Sequence, residues 1–374
     1  MRFPVPSHIA AIVPYPPGKP IDELEREYGV KNAIKLASNE NPWGPSPKAV
    51  RAVADALSSL HRYPDGSSHV LTRALADWIG AAPEEIVLGN GSNELIEFLV
   101  KAFVDTGDQV ITSHPSFLMY QKFVQVRGGE NVVVPLREMR HDLEGITAAV
   151  NERTRLIFID NPNNPTATLI ERDVFMRFLA ALPQSVIVVL DEAYVDFVEP
   201  ARRIDVLDCI RRADALPAVV SLRTFSKAFG LAGLRVGFGI MHRDIASLLH
   251  RVRQPFNISV PAQVGALAAL EDQEHYNRTL QGTAEGRAWL TEEVRRIGCR
   301  PFPSHANFFL IDVGGDATRL YEAMLYKGVI VRSMRAYGFP NFIRITVGTS
   351  EENQRFVAAL AACIEELGYG RIHS

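Results

Sequence analysis

The chain has 374 residues, of which 47% are hydrophobic and 22% are charged, and its formal net charge is −3. This length and apolar content allow two domains with sizeable cores, and the near-neutral charge argues against a nucleic-acid-binding protein. The three cysteines are widely spaced, and the proline-rich start has no apolar segment typical of a signal peptide. We therefore expect a cytoplasmic protein without a disulfide framework, a metal site or a membrane span.

The first two thirds of the chain predict an arm followed by a large α/β domain. Residues 1–45 are rich in proline and turn formers and predict an arm that belongs partly to a second domain and carries a short helix near Ile21–Tyr28. Within residues 46–260, short β-branched runs predict buried strands at 86–88, 109–113, 131–134, 155–159, 186–190 and 218–222. Amphipathic stretches predict helices at 92–104, 116–127, 171–182 and 242–252. This alternation favours a mostly parallel sheet covered by helices on both faces.

The pattern changes near Pro255, and residues 261–374 predict a smaller α+β domain. Its main helix is expected at 274–296 and its last helix at 350–367. Strands are expected between them at 307–313, 329–331 and 342–346. Because a long helix follows the change of pattern, the boundary between the two domains is soft.

The segment 223–239 contains a lysine in an unusual setting. Lys227 lies among small, hydroxylated or apolar residues, and a poorly solvated lysine has a lowered pKa. A neutral amine forms a Schiff base with a carbonyl compound. Thr224, Ser226 and Arg235 are suited to holding a phosphate, so the segment suggests a phosphorylated aldehyde such as pyridoxal phosphate.

Three further motifs follow predicted strands, and each also has an ordinary structural interpretation. Asp191 ends the strand at 186–190 and suits a protonated pyridine nitrogen, but it could equally cap a helix. The turn Asn161–Thr166 places Asn164 where it can donate to a ring oxygen, although most Asn-Pro steps are simply turns. The loop 89–94 opens a helix and can bind phosphate. Glu94 replaces the third glycine of a dinucleotide fingerprint, which argues against a nicotinamide site.

Taken together, these motifs resemble the fold type I pyridoxal phosphate aminotransferases, and within them the histidinol-phosphate aminotransferase branch. The resemblance covers nearly the whole chain. Segments that match this branch are Tyr15 to Pro20, Leu36 to Pro42, Arg62 to Asp65, Arg223 to Gly237 and Arg344 to Gly348.

The resemblance implies a role for each matching residue. Lys227 would form the Schiff base and move the substrate proton, Asp191 would pair with the pyridine nitrogen, and Tyr194 and Asn164 would bind the ring 3-oxygen. Phe117 would stack on the ring. The cofactor phosphate would be bound by Gly91, Ser92, Asn93, Thr224, Ser226 and Arg235, and by Tyr63 of a neighbouring subunit. The substrate would contact Tyr15, Asn41, Asn164, Arg332 and Arg344.

For Arg344 the resemblance implies a clamp on the substrate α-carboxylate, and for Arg332 and Tyr15 a contact with the distal phosphate. Without the resemblance, Arg332 is a surface residue that ends an edge strand, and the aromatic residues Tyr15, Tyr63 and Phe117 are packing residues. Ala167 stands where the family usually has glycine. We expect it to begin the next segment in a conformation that alanine adopts easily.

The resemblance implies a homodimer with composite active sites that takes a small-molecule amino donor and a keto acceptor. The expected reaction interconverts L-histidinol phosphate and 2-oxoglutarate with imidazole-acetol phosphate and L-glutamate. An aromatic amino-acid aminotransferase and a decarboxylase of a phosphorylated amino acid remain as alternatives. A ligand-binding module of a regulator would need an appended DNA-binding domain, which we do not expect in a sequence whose motifs begin at Tyr15.

Overall fold

The computed structural model describes residues 3–14 and 20–370. The helices of this part of the chain are α1 Ser7–Ala10, α2 Ile21–Tyr28, α3 Pro47–Ala56, α4 His69–Ile79, α5 Ser92–Phe103, α6 Met119–Arg127, α7 Leu143–Ala149, α8 Arg172–Ala180, α9 Val206–Arg211, α10 Arg243–Val252, α11 Val260–Leu270, α12 Gln273–Arg296, α13 Ala317–Tyr326 and α14 Ser350–Leu367. The strands are β1 Ile34–Lys35, β2 Ile86–Gly89, β3 Gln109–His114, β4 Glu130–Pro135, β5 Thr154–Asp160, β6 Ile187–Asp191, β7 Ala218–Thr224, β8 Gly237–Ile240, β9 Arg300–Pro301, β10 Phe308–Asp312, β11 Val329–Ile330, β12 Arg332–Ser333 and β13 Phe342–Thr346.

A seven-stranded sheet forms the centre of the molecule, in the order β2-β8-β7-β6-β5-β3-β4. Its strands run parallel except for β8, which is antiparallel to both of its neighbours. The central strands are nearly continuous runs of buried apolar residues, because helices cover both faces of the sheet. The predicted α/β fold with a mostly parallel sheet is therefore confirmed.

The helices form a layer on each face of this sheet. Residues of α4, α7, α8, α9 and α11 share one apolar cluster with alternate strand residues such as Ile157 and Val188. Residues of α5, α6 and α10 pack on the other face against Phe158 and Val189. The alternation follows from the two-residue period of a strand, which sends successive side chains to opposite faces.

The sequence prediction was wrong about the burial of β4. This strand is at the edge of the sheet, where only Val134 is buried, and Val133 is 44% exposed. An edge strand has a neighbour on one side only, so part of its surface faces solvent. The strand itself lies where the β-branched run at 131–134 placed it.

Ala167 also differs from expectation, because its φ is +58°. We expected a conformation that suits alanine, but the chain adopts the left-handed region that favours glycine. The turn requires this conformation because the backbone N–H of Ala167 donates to Asn163 O at 2.7 Å, and its carbonyl accepts from His305 N at 3.0 Å.

A second, smaller sheet has the order β12-β13-β10-β9 and is antiparallel. Its core contains residues of α13 and α14 and also Ile34 and Leu36 from the start of the chain, since β1 pairs with β11. The helix α12 belongs to both cores, through Tyr276 in the first and Leu290 in the second. The divisions at residues 45/46 and 260/261 stay predictions.

In the two described ranges of the chain, none of the helices has the combination of length and apolar character that crossing a membrane requires.

Candidate active site

A cavity of about 250 Å³ lies at one edge of the central sheet, where β5, β6 and β7 end. The last residues of these strands, Asp160, Asp191 and Thr224, all line it. Ligands bind at this edge in open α/β sheets. The predicted residues in its wall are Ser92, Asn93, Phe117, Asn164, Asp191, Tyr194, Thr224, Ser226, Lys227 and Arg235. Six further wall residues were not predicted: Ser38, Glu40, Tyr120, Asp160, Ala193 and Ala232.

Lys227 projects into this cavity from the loop after β7. Its Nζ donates to the carbonyl of Ser38 at 3.1 Å and lies 5.7 Å from the ring centroid of Tyr194. Burial, and then the nearby guanidinium of Arg344, lower the pKa of Lys227 to about 8. The amine is therefore much more readily deprotonated than an ordinary surface lysine.

Asp191 is a buried carboxylate at the end of β6. It accepts a hydrogen bond from Tyr120 Oη at 2.8 Å and another from the backbone N–H of Ala193 at 3.0 Å. Burial raises the pKa of Asp191 to about 6 despite these donors. A bound cation that donates a hydrogen bond would stabilise the ionised carboxylate here.

Tyr120 connects Asp191 to a predicted cofactor residue. Its ring stacks on Phe158 with centroids 4.7 Å apart and planes at 8°, and it meets Phe117 edge-on at 5.5 Å. One buried side chain thus contacts both Asp191 and the ring of Phe117. The sequence contained a clue, since a buried tyrosine needs a partner for its hydroxyl, and Tyr120 is one helical turn after Phe117.

The start of α5 faces Arg235 across one side of the cavity. Gly91 precedes this helix with φ +75°, and a Cβ atom on it would lie 2.5 Å from Arg235 Nη2. The close approach explains why this position has no side chain. Ser92 and Asn93 begin the helix, whose exposed N–H groups favour an anion.

Hydroxyl groups surround the same space. Thr224 Oγ1 donates to Ser226 Oγ at 3.0 Å. Arg235 Nη1 donates to the carbonyl of Ala232 at 2.9 Å and lies 3.5 Å from Ser226 Oγ. Two hydroxyls, a guanidinium and a helix N-terminus form a donor set suited to a phosphate group.

Asn164 and Tyr194 also line the cavity. The backbone N–H of Asn164 donates to Asp160 Oδ2 at 2.7 Å, and its side-chain carbonyl accepts from Arg344 Nη1. Tyr194 Oη accepts from Asn39 Nδ2 at 2.9 Å, and burial raises the pKa of this phenol to about 12. Tyr194 therefore stays protonated and can donate a hydrogen bond.

Behind Asp160 lies a buried serine, histidine and aspartate array. His141 Nε2 is 3.1 Å from Asp160 Oδ1, and His141 Nδ1 is 2.7 Å from Ser113 Oγ. The side chain of Ser113 is fully buried, so the array is not a hydrolytic triad open to substrate. Its effect is to fix Asp160, which in turn holds the turn that carries Asn164.

Arg332 and Arg344 are direct neighbours on β12 and β13. Arg344 is buried, and its Nη2 donates to the carbonyl of Ala37 at 2.8 Å. Arg332 does not line the cavity, and it has no ion pair within residues 3–14 and 20–370. Like charges on directly opposite strand residues destabilise a sheet, and an anion bound beside them removes this repulsion.

Of the predicted site residues that the structure describes, five do not line the cavity: Gly91, Asn41, Tyr63, Arg332 and Arg344. Asn41 donates instead to the carbonyl of Ala228 at 3.1 Å, and Asn39 is the asparagine that reaches Tyr194. Tyr63 is 81% exposed and stacks on Phe256, with centroids 4.8 Å apart. Tyr15 lies outside the described residues. The predicted roles of these residues stay predictions.

Known proteins resemble this chain over nearly its full length. The family model for class I and II aminotransferases matches residues 31–360. A histidinol-phosphate aminotransferase of Desulfotalea psychrophila is 59% identical over 369 residues, which cover 99% of this chain and 97% of that protein. The corresponding protein of Moorella thermoacetica is 44% identical, with 94% of this chain and 91% of that protein covered.

Solved structures share the fold. The histidinol-phosphate aminotransferase of Sinorhizobium meliloti in complex with pyridoxal-5'-phosphate has a TM-score of 0.89 and 30% identity, with 98% of each chain covered. An L-threonine-O-3-phosphate decarboxylase of Porphyromonas gingivalis has a TM-score of 0.76 at 23% identity, with 89% of this chain and 99% of that one covered. The second likeness concerns the fold alone.

Proposed function

Because this chain belongs to the family of class I and II aminotransferases, we propose that it is a pyridoxal-phosphate-dependent histidinol-phosphate aminotransferase. In the biosynthetic direction, it moves the amino group of L-glutamate to imidazole-acetol phosphate and releases 2-oxoglutarate. The observation that carries the proposal is that Lys227 and Asp191, a partly buried amine and a buried carboxylate, line one cavity. The relative that is 59% identical supports the substrate.

The residues of the cavity fit pyridoxal phosphate. Thr224, Ser226, Arg235 and the start of α5 would hold its phosphate, and the absence of a side chain at Gly91 leaves the space in front of Arg235 open. Asp191 would accept a hydrogen bond from the protonated ring nitrogen. Phe117 would cover one face of the ring, while Asn164 and Tyr194 would bind its 3-oxygen.

Pyridoxal phosphate, when bound, supplies an aldehyde for the substrate amine and a ring that stabilises negative charge on the adjacent carbon. With a pKa of about 8, about a tenth of Lys227 is neutral at pH 7. Its Nζ, oriented by the Ser38 carbonyl, accepts the proton from the amine-bearing carbon. Asp191 holds the proton at the ring nitrogen. Arg344 binds the α-carboxylate of glutamate, and Arg332 contacts the substrate phosphate.

A comparison of half-reactions tests the proposed substrate. The enzyme loaded with pyridoxal phosphate is mixed separately with histidinol phosphate, glutamate, phenylalanine and tyrosine, and the change in visible absorption is followed. We expect histidinol phosphate to react at least about ten times faster than either aromatic amino acid, as its phosphate adds charge-assisted contacts. Faster reaction of phenylalanine or tyrosine would indicate an aromatic aminotransferase. Threonine phosphate is tested in the same way, and release of CO₂ from it without amino transfer would indicate a decarboxylase.

We also propose that the enzyme is a homodimer in which each subunit completes the site of the other. The support comes from Tyr63 and Phe256, which form an aromatic pair on the surface, 81% and 46% exposed. Exposed aromatic pairs are typical of contact surfaces between proteins.

We propose that the protein is located in the cytoplasm, since Cys209, Cys299 and Cys363 are all free.

A further inference from the structure

One short segment, residues 37–40, contacts two of the proposed active-site residues. The carbonyl of Ala37 accepts from Arg344 at 2.8 Å, and the carbonyl of Ser38 accepts from Lys227 at 3.1 Å. Glu40 follows and lines the same cavity. Glu40 is three residues after Ala37, so it lies at most about 10 Å along the chain from it.

Glu40 forms an ion pair with Lys35. Lys35 Nζ is 3.1 Å from both carboxylate oxygens, and the two side chains are 22% and 48% exposed. Both charges act on Lys227, because Glu40 raises the pKa of its amine and Lys35 lowers it. A partly exposed ion pair contributes little stability, so a ligand can separate its partners at low cost.

The cavity shares one wall residue with a second cleft. Glu40 also lines a neighbouring cleft, which is formed by the start of α2, by β1 and by Thr346 and Val347 after β13. Of the charged residues in the cavity wall, Glu40 is the one that also lines this cleft. It is therefore the candidate to meet the far end of a substrate whose amine is at Lys227 and whose acidic group is held by Arg344 or Arg332.

The proposed reaction sets an unusual requirement at this end, because one site must accept two different distal groups in turn. Histidinol phosphate presents an imidazole with an N–H donor, whereas glutamate presents a carboxylate. We propose that the Lys35–Glu40 pair recognises both groups, with Glu40 accepting from the imidazole and Lys35 binding the γ-carboxylate. This inference rests on the proposed function and adds to it a specificity role for two residues.

Two ligands without an amine separate the roles. Imidazolepropionate and glutarate each have a carboxylate for Arg344 and differ in their distal group, and neither can react. Their Kd values are measured by calorimetry on the enzyme loaded with pyridoxal phosphate. We expect Glu40→Met to raise the Kd of imidazolepropionate about tenfold without weakening glutarate. We expect Lys35→Met to raise the Kd of glutarate about tenfold without weakening imidazolepropionate.

The matched control is Lys327→Met, which removes another lysine from an ion pair, with Glu366 at 2.7 Å. It should change neither Kd. Equal weakening of both ligands by each variant would show a structural role and overturn the proposal, as would unchanged Kd values. If the wild-type enzyme fails to convert histidinol phosphate, the proposed function is wrong. If it converts histidinol phosphate but the two variants do not affect the Kd values of the two ligands differently, only the role of the Lys35–Glu40 pair is contradicted.

Discussion

At the scale of single residues, the active site contains groups that oppose folding. Asp191 is 5% exposed, and its pKa is raised to about 6 mainly by burial. Its two hydrogen-bond donors, Tyr120 and Ala193, reduce this rise but do not abolish it. The folded protein therefore pays a cost for holding this carboxylate ready for a cationic ligand, and the cost depends on pH.

We predict that Asp191→Asn stabilises the cofactor-free protein at neutral pH. In wild type, the pKa of about 6 exceeds the value of about 3.9 in the unfolded chain, so the folded state binds the proton more tightly and loses stability as pH rises from about 4 to about 6. The asparagine variant lacks this loss. The difference in the free energy of unfolding, variant minus wild type, should grow by about 2 kcal/mol between pH 4 and pH 7, measured by urea unfolding.

Asp105→Asn is a suitable control, because the side chain of Asp105 is 78% exposed. Its difference from wild type should remain nearly constant over the same pH range. A constant difference for Asp191→Asn as well would show that burial of Asp191 does not destabilise the fold.

The motif residues were easier to predict than their partners. The place of Lys227, Asp191 and Arg235 in the cavity was predictable, because strand ends and a lysine among uncharged neighbours can be recognised in a sequence. Asn39 and Asn41 differ by two positions in an irregular loop, and no periodicity indicates which one faces the cavity. Tyr120 was missed because it lies in an amphipathic helix, where a tyrosine is usually a packing residue.

At the scale of elements, the unpredicted β8 shows a limit of pattern reading. Gly237 and Gly239 occupy half of its four positions and resemble a turn. The structure explains the first glycine, since a Cβ atom there would lie 2.4 Å from the backbone nitrogen of Ser92. The strand must approach the start of α5 closely, and only the folded sheet reveals this contact.

The turn at Ala167 leads to a prediction about stability. Replacing Ala167 by glycine relieves about 1–2 kcal/mol of left-handed strain, but it adds about 0.4–1 kcal/mol of chain entropy and removes a buried methyl group worth about 0.8 kcal/mol. We expect these effects to cancel, so that the free energy of unfolding changes by less than about 1 kcal/mol in urea unfolding.

Ala167→Val is the contrasting variant at this position. It adds two methyl groups beside Tyr194 and Phe308 and places a β-branched residue at a positive φ. We expect a loss of more than about 2 kcal/mol. Similar stability of the valine and glycine variants would mean that the turn can change its conformation, contrary to the hydrogen bonds that fix it.

At the scale of the whole molecule, the large sheet was predictable because its strands alternate with helices along the chain. The second core was less predictable from the sequence, because it combines segments that are far apart along the chain. Ile34 pairs with Val329, and such a contact between the two ends of the chain has no local pattern. The sequence indicated an arm at the start of the chain but not which residues of that arm enter the second core.

The proposed dimer can be tested by mixing two inactive variants. If Tyr63 acts in the neighbouring site, a heterodimer of Lys227→Ala and Tyr63→Ala subunits contains one site with both wild-type residues. After unfolding and refolding an equal mixture, about a quarter of all sites should be fully wild type by random pairing. Amino-transfer activity should therefore rise above that of either variant refolded alone.

A matched control replaces Tyr63→Ala by Tyr326→Ala, another exposed tyrosine at 71% exposure. We expect Tyr326→Ala to be active on its own, which separates loss of an aromatic surface group from loss of a site residue. If Tyr63 acts within its own subunit, the mixture with Lys227→Ala will not exceed the parents.

The helix α12 has a consequence for how the molecule unfolds. Its first turn is packed in the core of the large sheet through Tyr276, and its second half is packed in the other core through Leu290 and Val294. A continuous helix loses the support of one end when either core opens, and helix formation is cooperative along its length. The two cores are thus linked thermodynamically, and a destabilising change in one of them lowers the stability of the other.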